Sequence, residues 1–171
     1  MNYSTLLTAG AAMLTAACAS TPLVVPDTLR PATSETLATT VGARGVQIYE
    51  CRARKDGGYE WAFVAPDADL LDAQGKAIGR HGAGPYWQSA DGSRVVGTVT
   101  ARADAPAPGA IPWLLLSTKS SGPAGAFSNV TSIQRVNTVG GVAPATPCTA
   151  QFAGAPARVP YTADYHLFTA R

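Results

Sequence analysis

One nine-residue segment, Gly79–Trp87, combines side chains that suit ligand binding. It contains Arg80, His81, Tyr86 and Trp87. Its three glycines let the backbone approach a ligand closely, because glycine carries no side chain. A cation, an imidazole and two aromatic rings suit stacking and hydrogen bonding to a glycan or a small polar ligand. The alternative is an ordinary turn, in which both rings belong to the core and the histidine satisfies a backbone carbonyl.

A second candidate is the pair Asp164 and His166, which share one face of a strand because they are two residues apart. A carboxylate that orients an imidazole is half of a hydrolase triad. The sequence has no Gly-x-Ser-x-Gly elbow to supply the nucleophile, so a surface or packing pair is the alternative. A hydrolase of unfamiliar type, using His81 or this pair, therefore remains an alternative function.

Other classes of site find no support in the sequence. Three cysteines and two histidines show no metal-ligand spacing, and no phosphate-loop motif is present, so no metal or cofactor is predicted. The net charge of +2 gives no electrostatic footprint for nucleic acid. The basic cluster Arg52-x-Arg54-Lys55 is better explained as the solvated end of a hairpin.

The N-terminus predicts export. Residues 1–17 contain no Lys, Arg, Asp or Glu, and Leu6–Ala17 forms an apolar run of signal-peptide length. This run is shorter than the about 20 residues that a membrane span needs. The absence of Lys and Arg before Leu6 departs from the usual signal pattern. We nevertheless predict that 1–17 is a signal peptide.

The segment Leu14–Cys18 resembles the bacterial lipobox, in which the cysteine thiol receives a diacylglyceryl group. We therefore expect Cys18 to be the lipid attachment site and 18–33 to be a lipidated tether. Several acyl chains give stable anchoring in a membrane, whereas one is marginal. Because Ala19 follows the cysteine, the expected location is the outer membrane, facing the periplasm, if the cell has two membranes. Ordinary cleavage with secretion, leaving Cys18 incidental, is the alternative.

The two remaining cysteines are expected to pair. If Cys18 carries lipid, Cys51 and Cys148 are left, and an oxidising compartment favours a disulfide between them. Two buried free thiols are the alternative.

Turn signals at regular spacing predict a single all-β domain over 34–171. Asp56-Gly57, Gln74-Gly75 and Asp91-Gly92 each separate two β-rich runs, as in hairpins. The expected architecture is an antiparallel β-sandwich or a barrel-like meander, with helix in less than about a fifth of the residues. Within residues 34–41 the alternative is a short helix that begins at Ser34–Leu37.

Alternation within two strands assigns their faces. In the strand after Asp91-Gly92, one face carries Val95, Gly97, Val99 and Ala101. The other carries Arg94, Val96, Thr98, Thr100 and Arg102. In the last strand, one face carries Tyr161, Ala163, Tyr165 and Leu167, and the other carries Thr162, Asp164, His166 and Phe168.

Several segments resemble the secreted family known as domain of unknown function 3455. They are Gly45–Cys51, Gly79-Arg80-His81-x-x-Gly84-Pro85-x-Trp87, Asp91–Ser93, Ile111–Leu115, Ile133-Gln134-Arg135-Val136-Asn137-Thr138-x-Gly140-Gly141 and Val159–Tyr165. The resemblance implies an exported bacterial or fungal domain, and it carries no activity, cofactor or catalytic residues. We therefore expect a non-catalytic envelope or cell-surface binding domain. A structural partner of another envelope protein is a further alternative.

The lipobox generates the first testable prediction. Intact-mass analysis of protein extracted from membranes should show a chain that begins at Cys18 and carries acyl groups, and Cys18→Ala should release or mislocalise the protein. A soluble product with an unmodified Cys18 thiol would contradict the prediction.

Overall fold

The computed structural model describes residues 23–171, which form one antiparallel sheet closed into an eight-stranded barrel. The predicted signal peptide and Cys18 lie outside the described residues. Strand order around the barrel follows chain order, so the fold is a meander. The strands are β1 (Glu35–Ala53), β2 (Tyr59–Leu71), β3 (Ala77–Gly82), β4 (Tyr86–Ser89), β5 (Arg94–Ala103), β6 (Trp113–Ser120), β7 (Val130–Gly140) and β8 (Pro156–Ala170).

The all-β prediction is confirmed. Helix within residues 23–171 is limited to two 3-10 turns, Asp27–Leu29 and Ala150–Phe152. The segment Ser34–Leu37, considered as a helix start, instead opens β1. No helix in the described part of the chain is long and apolar enough to cross a membrane.

The three predicted hairpin turns are present. Gly57, Gly75 and Gly92 all have positive φ, which glycine adopts without strain. At the third turn, Asp91 accepts hydrogen bonds from the Ser93 hydroxyl and backbone and from a neighbouring loop amide, and these bonds lower the pKa of its carboxyl to about 2.

Pairing between the first and last strands closes the sheet. Residues 35–50 of β1 pair with residues 156–170 of β8, with one irregularity near Leu37. The predicted face of β8 points into the barrel. It joins inward residues of the other strands in one core, whose members include Val41, Leu70, Val95, Ile133, Tyr165 and Leu167.

A short hairpin leaves part of the barrel wall open. Strands β3 and β4 have six and four residues, whereas β2 has 13 and β5 has ten. On β2 only Ala68–Leu71 pairs with β3, and on β5 only Arg94–Val96 pairs with β4. The first half of β2 and the second half of β5 therefore face each other across a gap.

The predicted faces of β5 are wrong beyond Val99. The pairing register between β5 and β6 shifts between Val99 and Ala101, which is the signature of a β-bulge. An extra residue reverses the alternation that follows it. Ala101 therefore packs in an outer apolar cluster, while Arg102 pairs with the inward-facing Leu114 and lines the gap.

The predicted tether packs onto the barrel before residue 34. Leu29 is buried in the outer cluster with Trp113 and Val136. Its carbonyl accepts a hydrogen bond of 2.7 Å from Gln134 Nε2. The packed structure therefore includes the end of the predicted tether, because Leu29 covers the apolar surface of Trp113 and Val136 on the outside of the barrel.

The predicted Cys51–Cys148 disulfide is present, with the two Cα atoms 5.5 Å apart. It ties the connection between β7 and β8 to the end of β1. Trp61 Nε1 and the Tyr49 hydroxyl also donate to carbonyls of this connection, those of Thr146 and Gly141. The connection is thereby fixed over one end of the barrel.

Reduction of this disulfide should lower the free energy of unfolding by about 4–5 kcal/mol, the chain-entropy value for a loop of this length. Denaturant unfolding with and without reductant measures the change, using Cys18→Ala protein so that no other thiol takes part. An unchanged denaturation midpoint would show that the bond contributes nothing to stability.

Candidate functional site

A small cavity lies on the barrel axis. Its volume is about 60 Å³, roughly the space of two water molecules in the liquid. All eight strands contribute to its lining, which places it inside the barrel. The lining side chains that carry polar atoms are those of Gln47, His81, Trp87, Arg135 and Tyr165.

A larger pocket of about 440 Å³ adjoins this cavity at the gap between β2 and β5. The two spaces are adjacent because they share Gln47, Phe63, Val99, Leu114 and Arg135. Phe63 is 54 % exposed and Val99 51 %, so the larger pocket is open to solvent. Its volume lies within the about 300–1,000 Å³ range of small-molecule sites.

His81 and Trp87 form the floor of the cavity. They pair across the β3–β4 hairpin, and their rings stack with centroids 4.3 Å apart while Tyr165 meets both rings edge-on. Trp87 is 1 % exposed and His81 3 %. The buried surface of Trp87 is therefore not available to stack on a sugar from solvent.

The buried imidazole is neutral at physiological pH. Burial lowers the pKa of His81 to about 3, the charge of Arg135 acts in the same direction, and a backbone hydrogen bond at Tyr86 opposes them. His81 Nδ1 lies 2.7 Å from the Tyr86 carbonyl oxygen. Because a carbonyl only accepts, Nδ1 carries the proton and Nε2 keeps its lone pair.

Arg80 and Tyr86, the other two candidate contacts, lie on the outer side of the wall. The Arg80 guanidinium forms ion pairs with Asp67 and Asp69. The Tyr86 ring packs under the Arg94 guanidinium, whose Cζ is 3.9 Å from the ring centroid. Side chains alternate between the two faces of β3 and β4, so the four candidate residues of Gly79–Trp87 lie on opposite sides of the wall. Only His81 and Trp87 reach the cavity.

Asp164 and His166 lie on the outer face of β8 and each has a different partner. Asp164 accepts a hydrogen bond of 2.8 Å from Asn137 Nδ2. His166 Nδ1 lies 2.9 Å from Gln134 Oε1. Burial lowers the pKa of His166, and the charge of Asp164 opposes this shift. The structure brings this pair to one surface without a hydrogen bond between the carboxylate and the imidazole.

Arg135 brings a positive charge into the interior. It lies in register with Leu114 of β6 on one side and with Tyr165 of β8 on the other. Its Nε and Nη2 donate to the Pro112 carbonyl at 3.0 and 2.7 Å, which fixes the plane of the guanidinium. The same charge opposes the rise that burial causes in the pKa of Tyr49.

Arg102 supplies a second cation at the rim. The bulge in β5 places it opposite Leu114, so two arginines flank one leucine across three strands. Within residues 23–171, neither Arg102 nor Arg135 forms an ion pair, and no carboxylate lines either space.

Several buried donors near Arg135 have no acceptor. Gln47 Nε2, Trp87 Nε1 and the hydroxyls of Tyr161 and Tyr165 meet no partner at hydrogen-bond geometry among the described residues. Tyr161 nevertheless lies close to Gln47 and Tyr165, and Tyr165 lies close to Arg135. Burial raises the pKa of both tyrosines, while Arg135 opposes the rise. Unsatisfied buried donors are rare in folded proteins and call for a ligand or water.

Sequence reasoning missed the central residues of this site. Gln47 shares a strand face with Tyr49 and Cys51, so a polar residue on a buried face was a readable signal. Arg135 follows Ile133 at the same two-residue spacing and was equally readable. Arg102 was not, because nothing in its strand signals the bulge.

The comparisons with known proteins place the chain in a family. The family model described as "Protein of unknown function (DUF3455)" matches residues 31–169. The chain belongs to this family. The match covers most of the chain, including the barrel and every lining residue discussed above, and it confirms the resemblance. Neither the curated proteins nor the solved structures gave a match.

The buried histidine predicts a loss of stability in mild acid. The folded-state pKa of His81, about 3, lies below its ordinary 6.5, so the unfolded chain binds the extra proton. Stability is therefore full above pH 6.5 and falls below it, by up to ~1.4 kcal/mol per pH unit. His81→Gln should make this dependence shallower in denaturant unfolding at pH 7 and pH 5.

The matched control is His166→Gln, which removes the other, half-buried histidine. It should flatten the pH dependence less than His81→Gln does. Identical slopes in the wild type and His81→Gln would show that His81 does not stay neutral in the folded protein.

Proposed function

We propose that this chain is a non-catalytic binding domain of the cell envelope, and that it holds a small molecule in the pocket between β2 and β5. One observation carries the proposal. A pocket open to solvent continues into the axis of a closed barrel, where buried donors lack acceptors. Apolar walls with a few convergent polar groups are typical of ligand sites.

The pocket favours binding over hydrolysis. Acyl transfer needs a nucleophile within hydrogen-bond reach of a base. The only histidine at the cavity uses its Nδ1 on a carbonyl and packs between two aromatic rings. In the outer pair, Asp164 accepts a hydrogen bond from Asn137, and His166 is hydrogen-bonded to Gln134. Neither candidate for hydrolysis therefore gains geometric support.

The ligand proposed here differs from the one that the loop sequence suggested. A glycan would stack on exposed aromatic rings, whereas Trp87 is buried and Tyr86 is covered by Arg94. The exposed apolar side chains that line the pocket are Phe63 and Val99. They favour a ligand with an apolar part.

The envelope location is part of the proposal. Lipid on Cys18 would hold the barrel at a membrane surface, and the Cys51–Cys148 disulfide suits an oxidising compartment. A binding domain tethered in this way would meet ligands that leave or enter the membrane.

A pocket-filling variant tests the proposal. N-phenyl-1-naphthylamine, an uncharged fluorophore that brightens in apolar surroundings, should bind the wild-type protein saturably. Val99→Trp should weaken binding at least about tenfold, because the larger ring occupies the pocket and overpacking costs about 1–3 kcal/mol. Fluorescence titration measures the effect on protein that carries Cys18→Ala.

The matched control is Val64→Trp, which adds the same ring on β2 at a half-exposed valine that lines neither space. It should leave binding unchanged. No saturable binding, or an equal loss in both variants, would sink the proposal that the pocket is the site. Melting curves of both variants confirm that the barrel is intact.

A further inference from the structure

We propose that the pocket takes an amphiphile with an oxyanion head, such as a carboxylate or a phosphate, and an apolar body. The head contacts Arg135 and the body lies against Phe63 and Val99. This inference rests on the proposed binding function and adds the chemical class of the ligand.

The first support is charge. Arg102 and Arg135 both line the larger pocket, and the described residues offer neither an ion-pair partner nor a carboxylate in its wall. Elsewhere on this barrel, arginines such as Arg80 and Arg158 have carboxylate partners on the surface. An incoming anion would supply the missing counter-charge, and the guanidinium hydrogens of Arg135 that are not used on the Pro112 carbonyl could contact two oxygens of a carboxylate or a phosphate.

The second support is the set of free donors. Gln47 is 2 % exposed and lines both spaces, and its Nε2 meets no acceptor at hydrogen-bond geometry among the described residues, although Tyr161 lies close to it. The Tyr165 hydroxyl is likewise buried and meets no partner at hydrogen-bond geometry, although it lies close to Tyr161 and to Arg135, with which Tyr165 is in register. An oxyanion brings several lone pairs, so it could accept hydrogen bonds from Gln47 Nε2, the Tyr165 hydroxyl and Arg135.

The third support is the arrangement of polar and apolar parts. The deep cavity is small, about 60 Å³, and its polar lining residues are Gln47, His81, Arg135 and Tyr165, of which Gln47 and Arg135 also line the wide pocket. The wide pocket of about 440 Å³ leads outward past Phe63 and Val99. A compact charged head therefore fits inside, while a longer apolar body fits at the opening. The reverse orientation would leave a cation and free amide donors against hydrocarbon, which is unfavourable.

Four ligands that share one eight-carbon chain test the inference by calorimetry on Cys18→Ala protein at pH 7. They are octanoate, octyl phosphate, 1-octanol and octylamine, which is an ammonium ion at this pH. At least one of the two anions should bind about tenfold or more tightly than octanol, the gain expected from a charge-assisted hydrogen bond. The ammonium ion should bind most weakly. The tighter of the two anions identifies the head as carboxylate or phosphate.

Arginine variants locate the head. Arg135→Gln should abolish most of the difference between the anion and octanol, and Arg102→Gln should reduce it. Arg44→Gln is the matched control, because Arg44 is an exposed arginine of β1 that lines neither space. It should leave the difference unchanged. If Arg135→Gln does not fold, the wild-type ligand series and Arg102→Gln decide the question.

The outcomes separate this inference from the proposed function. Equal binding of the anions and octanol, still blocked by Val99→Trp, would overturn the oxyanion head and keep the pocket as a binding site. Tightest binding of the ammonium ion would also overturn the head. Failure of all four ligands together with the uncharged fluorophore would overturn both proposals.

Discussion

Pairing between β1 and β8 is the interaction on which the rest of this structure depends. It joins the two ends of the domain along most of both strands and removes the exposed edges that an open sheet would present. A barrel of eight strands has an interior just wide enough for packed side chains or for one small ligand. Once the sheet is closed, the identity of the inward residues decides between a solid core and a site.

The inward residues of this barrel divide into two regions. Val41, Leu70, Val95, Ile133 and Leu167 belong to a conventional packed core. The other region contains Gln47, Tyr165 and Arg135, whose polar groups are only partly satisfied. A partly buried cation without a carboxylate lowers stability, because desolvation is not offset by an ion pair. Local violations of packing rules are expected at functional sites. Both proposals are built on the partly satisfied polar groups around Arg135.

The sequence predicts the fold better than the site, for physical reasons. Turn chemistry is local, so Asp56-Gly57, Gln74-Gly75 and Asp91-Gly92 could each be assigned from two residues. The disulfide was predicted because Cys51 and Cys148 are the two cysteines left once Cys18 is assigned to the lipid. Closure of the sheet is not local, and alternation alone does not separate a sandwich from a barrel.

The site was harder to predict because its residues come from eight strands. The Gly79–Trp87 loop drew attention through its composition, yet pleating sends Arg80 and Tyr86 outward. Alternation could have marked Gln47 and Arg135 as polar residues on buried faces. It could not place Arg102, because a single extra residue in β5 reverses the direction in which that side chain points.

The short β3–β4 hairpin explains both the depth and the opening of the pocket. Its two inward rings, His81 and Trp87, fill the barrel and end the cavity. Gly97 permits this, since an ideal Cβ there would lie 2.8 Å from Trp87 Cζ3. A side chain at that position would force the indole to shift within the confined interior.

Because the hairpin ends early, β2 and β5 are left unpaired beyond it, and the space above the two rings opens to solvent at Phe63 and Val99. A longer hairpin would cover this opening, so the length of β3 and β4 sets the access to Arg135.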